Sequence, residues 1–148
     1  MLVARCRLDR RQAIVDIGVT AFDPDQPTHS LQINSYRALI DTGAMRTCLT
    51  YRAIGLERLH RHSRKLVKNV HDQNYHGLYM AQIGIFSTDE RGGHGEASMR
   101  SYYGLAEPTE IMDIADNERF DAILGMDVLQ EFDFHFFRGG IVEIELNK

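Results

Sequence analysis

The sequence has no tryptophan, two cysteines and three prolines, and no unbroken apolar run exceeds four residues, Leu78 to Ala81 being one. Runs that short exclude a membrane-spanning helix, which needs about 20 apolar residues. Two cysteines cannot build a disulfide framework, and neither Cys6 nor Cys48 belongs to a CxxC pair. They read as reduced thiols. Positive charge is not in excess either: 17 basic residues face 21 acidic ones, a formal net charge of −4. That balance argues against nucleic acid as a partner of the whole chain. The stretch Met1 to Gln12 scatters Arg5, Arg7, Asp9, Arg10 and Arg11 and has no apolar core, unlike a secretory signal. The expectation is a cytoplasmic protein with neither a membrane nor a nucleic acid as partner.

What is present is enough for a core. The 148 residues are 43% hydrophobic and 26% charged, a composition that excludes disorder. A chain of this length buries about 68–70% of its unfolded surface. Residues 1–148 therefore read as a single domain. The patterning is mostly of period two. Val15, Ile17, Val19 and Ala21 alternate with polar or small residues, which predicts a strand. Leu31 and Ile33 begin another, after a loop from Asp23 to Ser30 that holds Pro24 and Pro27. Phe132, Phe134 and Phe136, then Arg138-Gly139-Gly140, then Val142, Ile144 and Leu146 predict a hairpin with one apolar and one wet face. Helical signal is confined to Thr50–Leu59, a turn or two, and to Gly125–Phe132. Ser87 to Glu96 reads as an exposed loop. The fold class is all-β, a sandwich or barrel.

Two short segments carry the chemistry. In Ala38-Leu39-Ile40-Asp41-Thr42-Gly43-Ala44 an apolar run ends in a carboxylate, a hydroxyl and a glycine. A buried strand must turn sharply there, with Asp41 at its end. By itself Asp-Thr-Gly is weak, since it arises by chance in roughly three such chains per hundred. A turn aspartate capping its own loop is the plainer reading. Some eighty residues on, Phe120-Asp121-Ala122-Ile123-Leu124-Gly125 is a second apolar run closed by glycine, and it leads into the short helix.

Together, Leu39-Ile40-Asp41-Thr42-Gly43-Ala44 and Ile123-Leu124-Gly125 resemble the retropepsin-like aspartic proteases. The run Ile123 to Leu129 looks closer to their cellular and bacterial members than to the retroviral ones. The resemblance implies a small closed β-barrel with one short helix after Gly125, and no metal or other cofactor. It implies an endopeptidase that works as a homodimer on peptide or protein substrates. Asp41 of each subunit would be catalytic, the pair sharing one proton and activating a water. Thr42 and Gly43 would support the site. Gly43, Ala44, Met45, Arg46 and Ile123 would contact substrate in an elongated, apolar cleft. A flap hairpin is expected over Leu66–Gln82, with arms Leu66-Val67 and Leu78-Tyr79-Met80. Its turn would lie near Asp72, Gln73, Asn74, Tyr75, His76 and Gly77. The dimer would close through the Asp41 loop, the flap tips and a terminal strand such as the hairpin Phe132–Leu146.

Retroviral members carry acidic residues where Met45-Arg46 stand, and an arginine where Met126 precedes Asp127. The exchanged charges predict an ion pair between Arg46 and Asp127. A second function class shares the same fold: a dimerisation or peptide-binding module without cleavage. A third is a metal-dependent hydrolase built on His60, His62 and His71, although no carboxylate or cysteine cluster completes that set. The basic stretch Arg58 to Lys68 lacks interleaved aromatics and reads as a solvated face. Cys48 reads as a core or interface residue, Asp127 as a structural group near the helix start, and Asp121 as exposed.

Overall fold

The computed structural model describes residues 2–22, 33–68, 70–88 and 100–147. Its strands are β1 (Val3–Arg7), β2 (Ile14–Ala21), β3 (Ser35–Ile40), β4 (Cys48–Thr50), β5 (Arg61–Lys68), β6 (Gln73–Phe86), β7 (Tyr102–Gly104), β8 (Thr109–Ile114), β9 (Ala122–Leu124), β10 (Asp133–Phe137) and β11 (Ile141–Glu145). Two short helices, α1 (Tyr51–Leu56) and α2 (Met126–Leu129), complete the elements. The protein is thus mostly β, as its period-two pattern requires.

The larger sheet has the order β2-β3-β9-β4-β8-β6-β5, with β7 on β6 and a further pairing of β6 with β2. The smaller sheet is β1-β11-β10. Strand β6 makes these connections possible because it is long. Gln73–Tyr79 pair with β5, Leu78–Ala81 with β8, and Ala81–Ile85 with β2. In β2, Val15, Ile17 and Val19 point inward and are at most 5% exposed. They meet Leu49, Ile83, Ile85, Ile111, Leu124 and Ile144 in one core. Burying a side chain of this size contributes about 1.5–3 kcal/mol.

The predicted helix after Gly125 is present, and Thr50 starts the other by accepting a hydrogen bond from the Ala53 N–H at 3.3 Å. Arg138-Gly139-Gly140 forms the predicted C-terminal turn, with φ of +93° and +80° at its two glycines. The faces of that hairpin differ from expectation. Phe136 is 72% exposed, while Glu143 is buried, its carboxylate held by the Arg5 guanidinium across the β1–β11 pair. Ile33 lies outside any strand, and β3 begins at Ser35. Leu31, the loop Asp23–Ser30 and most of the loop Ser87–Glu96 lie outside the described residues. Among the described residues, no helix is long and apolar enough to cross a membrane.

Candidate active site

Strand β3 delivers the Asp-Thr-Gly segment. Its last residue, Ile40, pairs in parallel with Leu124 of β9, so the two sequence motifs lie side by side. The bonds continue past the strand ends. Asp41 N–H donates to the Leu124 carbonyl at 3.0 Å, and Met126 N–H donates to the Ala44 carbonyl at 2.8 Å. Gly125 sits against this loop: a Cβ there would stand 2.6 Å from the carbonyl carbon of Arg46. Only glycine fits such a close backbone approach. The loop itself is tight. Asp41 Oδ1 accepts from the Gly43 N–H at 2.9 Å, and its main-chain carbonyl accepts from the Ala44 N–H at 3.2 Å. Thr42 and Gly43 are exposed at its tip.

Arg46 does not pair with Asp127. Its Nη1 meets Glu110 Oε1 at 2.7 Å, and His62 Nε2 reaches the other oxygen of Glu110 at 3.2 Å. The register explains this. Cys48 lies beside Met112 in the parallel β4–β8 ladder, so two residues earlier Arg46 lies beside Glu110. Asp127 instead accepts from the Thr47 hydroxyl at 2.7 Å, the Thr47 N–H at 3.0 Å and the Val128 N–H at 2.9 Å. The Thr47 hydroxyl in turn accepts from the Gly125 N–H at 3.1 Å. The structural reading of Asp127 therefore holds. Asp121 is not simply exposed: it accepts from the Arg37 N–H at 3.0 Å and from the Arg52 guanidinium at 3.3 Å.

A groove of about 960 Å³ opens beside the loop. Ala44, Met45 and Arg46 line it, together with Cys48, Met112, the β5 residues Lys65–Lys68 and the segment Leu105–Glu110. Asp127 and Glu131 also line it, so the groove is not the purely apolar cleft expected. The other two predicted substrate contacts, Gly43 and Ile123, are not among the lining residues: Gly43 is at the exposed tip of the Asp41 loop, and Ile123 lies in β9 between Leu39 of β3 and Cys48 of β4. Cys48 is 6% exposed, and burial together with the nearby Asp127 charge pushes its thiol up to about 11.

The segment Leu66–Gln82, expected as a flap, lies in the β5–β6 hairpin, with other partners and a different turn: Leu66 and Val67 pair with Tyr75 and Asn74, whereas Leu78 pairs with Ser63 and Met80 with Glu110 of β8. Lys68 pairs with Gln73, so Gln73 to Gly77 belong to the β6 arm and not to its turn. Asp72 closes the turn by accepting from the Gln73 N–H at 2.8 Å and the Asn74 amide at 3.0 Å. Tyr75 lies under the Arg64 guanidinium, 4.8 Å from its ring centre. His76 and Gly77 contact Asp113 of β8. The β5 arm is exposed almost throughout, in line with a solvated basic face.

Two residues that sequence reasoning missed border this hairpin, Asp113 and Glu110. Asp113 carried a signal: it falls in phase with the inward Ile111 in β8, where a carboxylate needs partners. Among the described residues, no group of three or more histidine, cysteine, aspartate or glutamate residues could hold a metal ion.

No family model matches the sequence, and no curated protein does. Among solved structures, the chain is similar to a retropepsin-like aspartic protease from Rickettsia conorii. The TM-score is 0.56 at 13% identity, covering 96% of this chain and 90% of that one. At that identity the likeness defines the fold class, a retropepsin-like arrangement of strands.

Proposed function

We propose that the protein is an aspartic endopeptidase that hydrolyses peptide bonds as a homodimer. One observation carries the reading. The Asp41-Thr42-Gly43 turn is held by main-chain bonds to Leu124 and Met126 of the second motif, beside an open groove. Each chain brings one such aspartate, so a two-fold pair of chains is needed to assemble a dyad. Two carboxylates at hydrogen-bonding distance share one proton. The ionised one takes a proton from a water held between them, and the protonated one polarises the scissile carbonyl. The roles then reverse as the amine leaves. The apparent pKa values belong to the pair. No metal or cofactor enters this scheme.

In this reading Thr42 and Gly43 support the aspartate loop. Gly43, Ala44, Met45, Arg46 and Ile123 face the peptide, which binds extended by strand-like hydrogen bonds. The β5–β6 hairpin closes over it as the flap. The pairings β2–β3–β9–β4–β8–β6–β2 return on themselves, which supports a closed barrel spanning one domain. Strand β10 supports the dimer, because among the described residues it is bonded on one edge only, and it carries exposed Phe136 and Phe137. Free Cys6 and Cys48 suit a cytoplasmic setting.

A second reading is a peptide-binding or dimerisation module without cleavage. It is favoured by Asp41 Oδ1, which already caps its own turn at Gly43. The experiment is incubation with a diverse peptide mixture between about pH 4 and 7, where one proton can be shared by the dyad. Wild type and Asp41→Asn are compared by mass spectrometry at several protein concentrations. Cleavage by the wild type alone, with specific activity rising with concentration, is the expected result. Two folded, dimeric and inert proteins would hand the assignment to the binding module.

A further inference from the structure

Asp113 is 7% exposed, and the described hydrogen-bond partners of its carboxylate, His76, Gly77 and Tyr79, all come from β6. Its Oδ2 accepts from the Gly77 N–H at 2.9 Å and lies 3.4 Å from the Tyr79 hydroxyl. Its Oδ1 lies 3.2 Å from His76 Nδ1, and its main-chain carbonyl lies 2.9 Å from the same nitrogen. That nitrogen faces two acceptors, so it carries the hydrogen and donates. Burial, and then the Asp113 charge, push the Tyr79 phenol up, which keeps it protonated as a donor. A buried carboxylate is costly unless paired and hydrogen-bonded, and here the described bonds of the carboxylate tie β8 to β6.

The place of these contacts matters. The antiparallel β6–β8 ladder pairs Leu78 with Met112, which puts Gly77 opposite Asp113 at the ladder's end. Beyond Gly77, among the described residues, Gln73 to His76 ladder with β5 alone. The contacts of Gly77 and His76 with Asp113 are thus the outermost ones described between the rising arm of the hairpin and β8. A Cβ at Gly77 would stand 2.7 Å from Asp113 Oδ2 and 2.8 Å from the Tyr79 hydroxyl, so glycine admits the carboxylate.

We infer that Asp113 is a positioning residue, which anchors the root of the β5–β6 hairpin and sets its height over the groove. Its importance for turnover rests on the proposed protease reading; the anchoring itself does not. An asparagine there cannot serve, because both oxygens face donors and one would become an NH2 group.

Hydrogen exchange read by mass spectrometry tests this on the full-length protein, with wild type, Asp113→Asn, His76→Gln and Tyr79→Phe. Losing a charge-assisted bond should speed exchange over residues 73–77 about tenfold in Asp113→Asn, while β2 and β11 keep their protection. The His76→Gln and Tyr79→Phe variants should show a smaller change in the same segment, and they carry the test if Asp113→Asn does not fold. With peptides that the wild type cuts, Asp113→Asn should raise KM more than it lowers kcat. Wild-type exchange over 73–77 in every folded variant overturns the inference. So does faster exchange spread evenly over all strands, which marks a merely structural role. A wild type that cuts nothing counts against the protease reading and leaves the exchange result standing.

Discussion

Thr47 and Asp127 join the two halves of the candidate site: the Thr47 hydroxyl donates to Asp127 Oδ1 at 2.7 Å while accepting from the Gly125 N–H at 3.1 Å. One buried side chain thereby fixes the residues after the Asp-Thr-Gly turn to the start of α2. Thr47 is fully buried, so water cannot replace its bonds. Thr47→Val keeps the shape and removes the hydroxyl. It leaves the Gly125 N–H without its acceptor and Asp127 Oδ1 with the Val128 N–H as its remaining donor, at a cost of about 1–3 kcal/mol. Urea unfolding should show that loss for Thr47→Val and a much smaller one for Thr47→Ser. Equal midpoints for wild type and Thr47→Val would mean that the pair contributes no net stability.

Gly125 gives a steric prediction. An alanine Cβ would stand 2.6–2.9 Å from the backbone N, C and O of Arg46, atoms that cannot swing aside as a side-chain tip could. Either the helix start or the Asp41 loop must move. Overpacking of this kind costs about 1–3 kcal/mol. Gly125→Ala should fold with a lowered thermal midpoint and, as a protease, lose most of its activity. By contrast, Gly55→Ala meets nothing within 4 Å and should be neutral or slightly stabilising in its helix. The same thermal midpoint for both variants would refute the packing argument.

Much of this was legible in the chain, for identifiable reasons. The alternation of Val15, Ile17 and Val19 gave β2 because one face of that strand is buried. Gly139 and Gly140 gave the last turn because both need positive φ. The two motifs are linked in the sequence by their resemblance to one family; each closes an apolar run, and in the structure the runs are the adjacent strands β3 and β9. The failures are equally local. Gly77 read as a turn residue, yet it is a strand residue that makes room for Asp113. Glycine signals a turn and a close approach alike. Arg46 was matched to the opposite charge in the neighbouring motif. Its true partner, Glu110, follows from a parallel register that no local pattern encodes. Phe136 has an inward-facing period but stands beyond the reach of the core.

Cys48 gives a prediction in pH. Burial holds its thiol neutral up to about 11, above its ordinary value of 9.0. The thiolate is the reactive form, so alkylation of the folded protein near pH 8 should be at least about tenfold slower than in urea. The sign of the linkage also follows. The unfolded chain loses this proton first, so the stabilisation is complete below pH 9 and is lost as the pH rises towards 11. Cys48→Ala should flatten that alkaline decline, even if its stability at neutral pH is lower. Rapid labelling of native protein at pH 8 would contradict the burial.

The edge of β10 gives the last prediction. Among the described residues this strand pairs with β11 alone, and Phe136 projects with 72% of its surface exposed. An open strand edge with bare aromatic side chains invites another strand, and a lysine is an effective way to blunt it. If the proposed dimer closes through β10, Phe136→Lys should shift it towards monomer, as read by sedimentation velocity. The monomer should keep its thermal midpoint, since an exposed position changes stability by no more than about 0.5 kcal/mol. Cleavage should then fall at low protein concentration and recover as the concentration rises, because only the dimer holds two Asp41 carboxylates. An unchanged sedimentation profile would move the dimer contact away from β10, to the Asp41 loop and the β5–β6 hairpin.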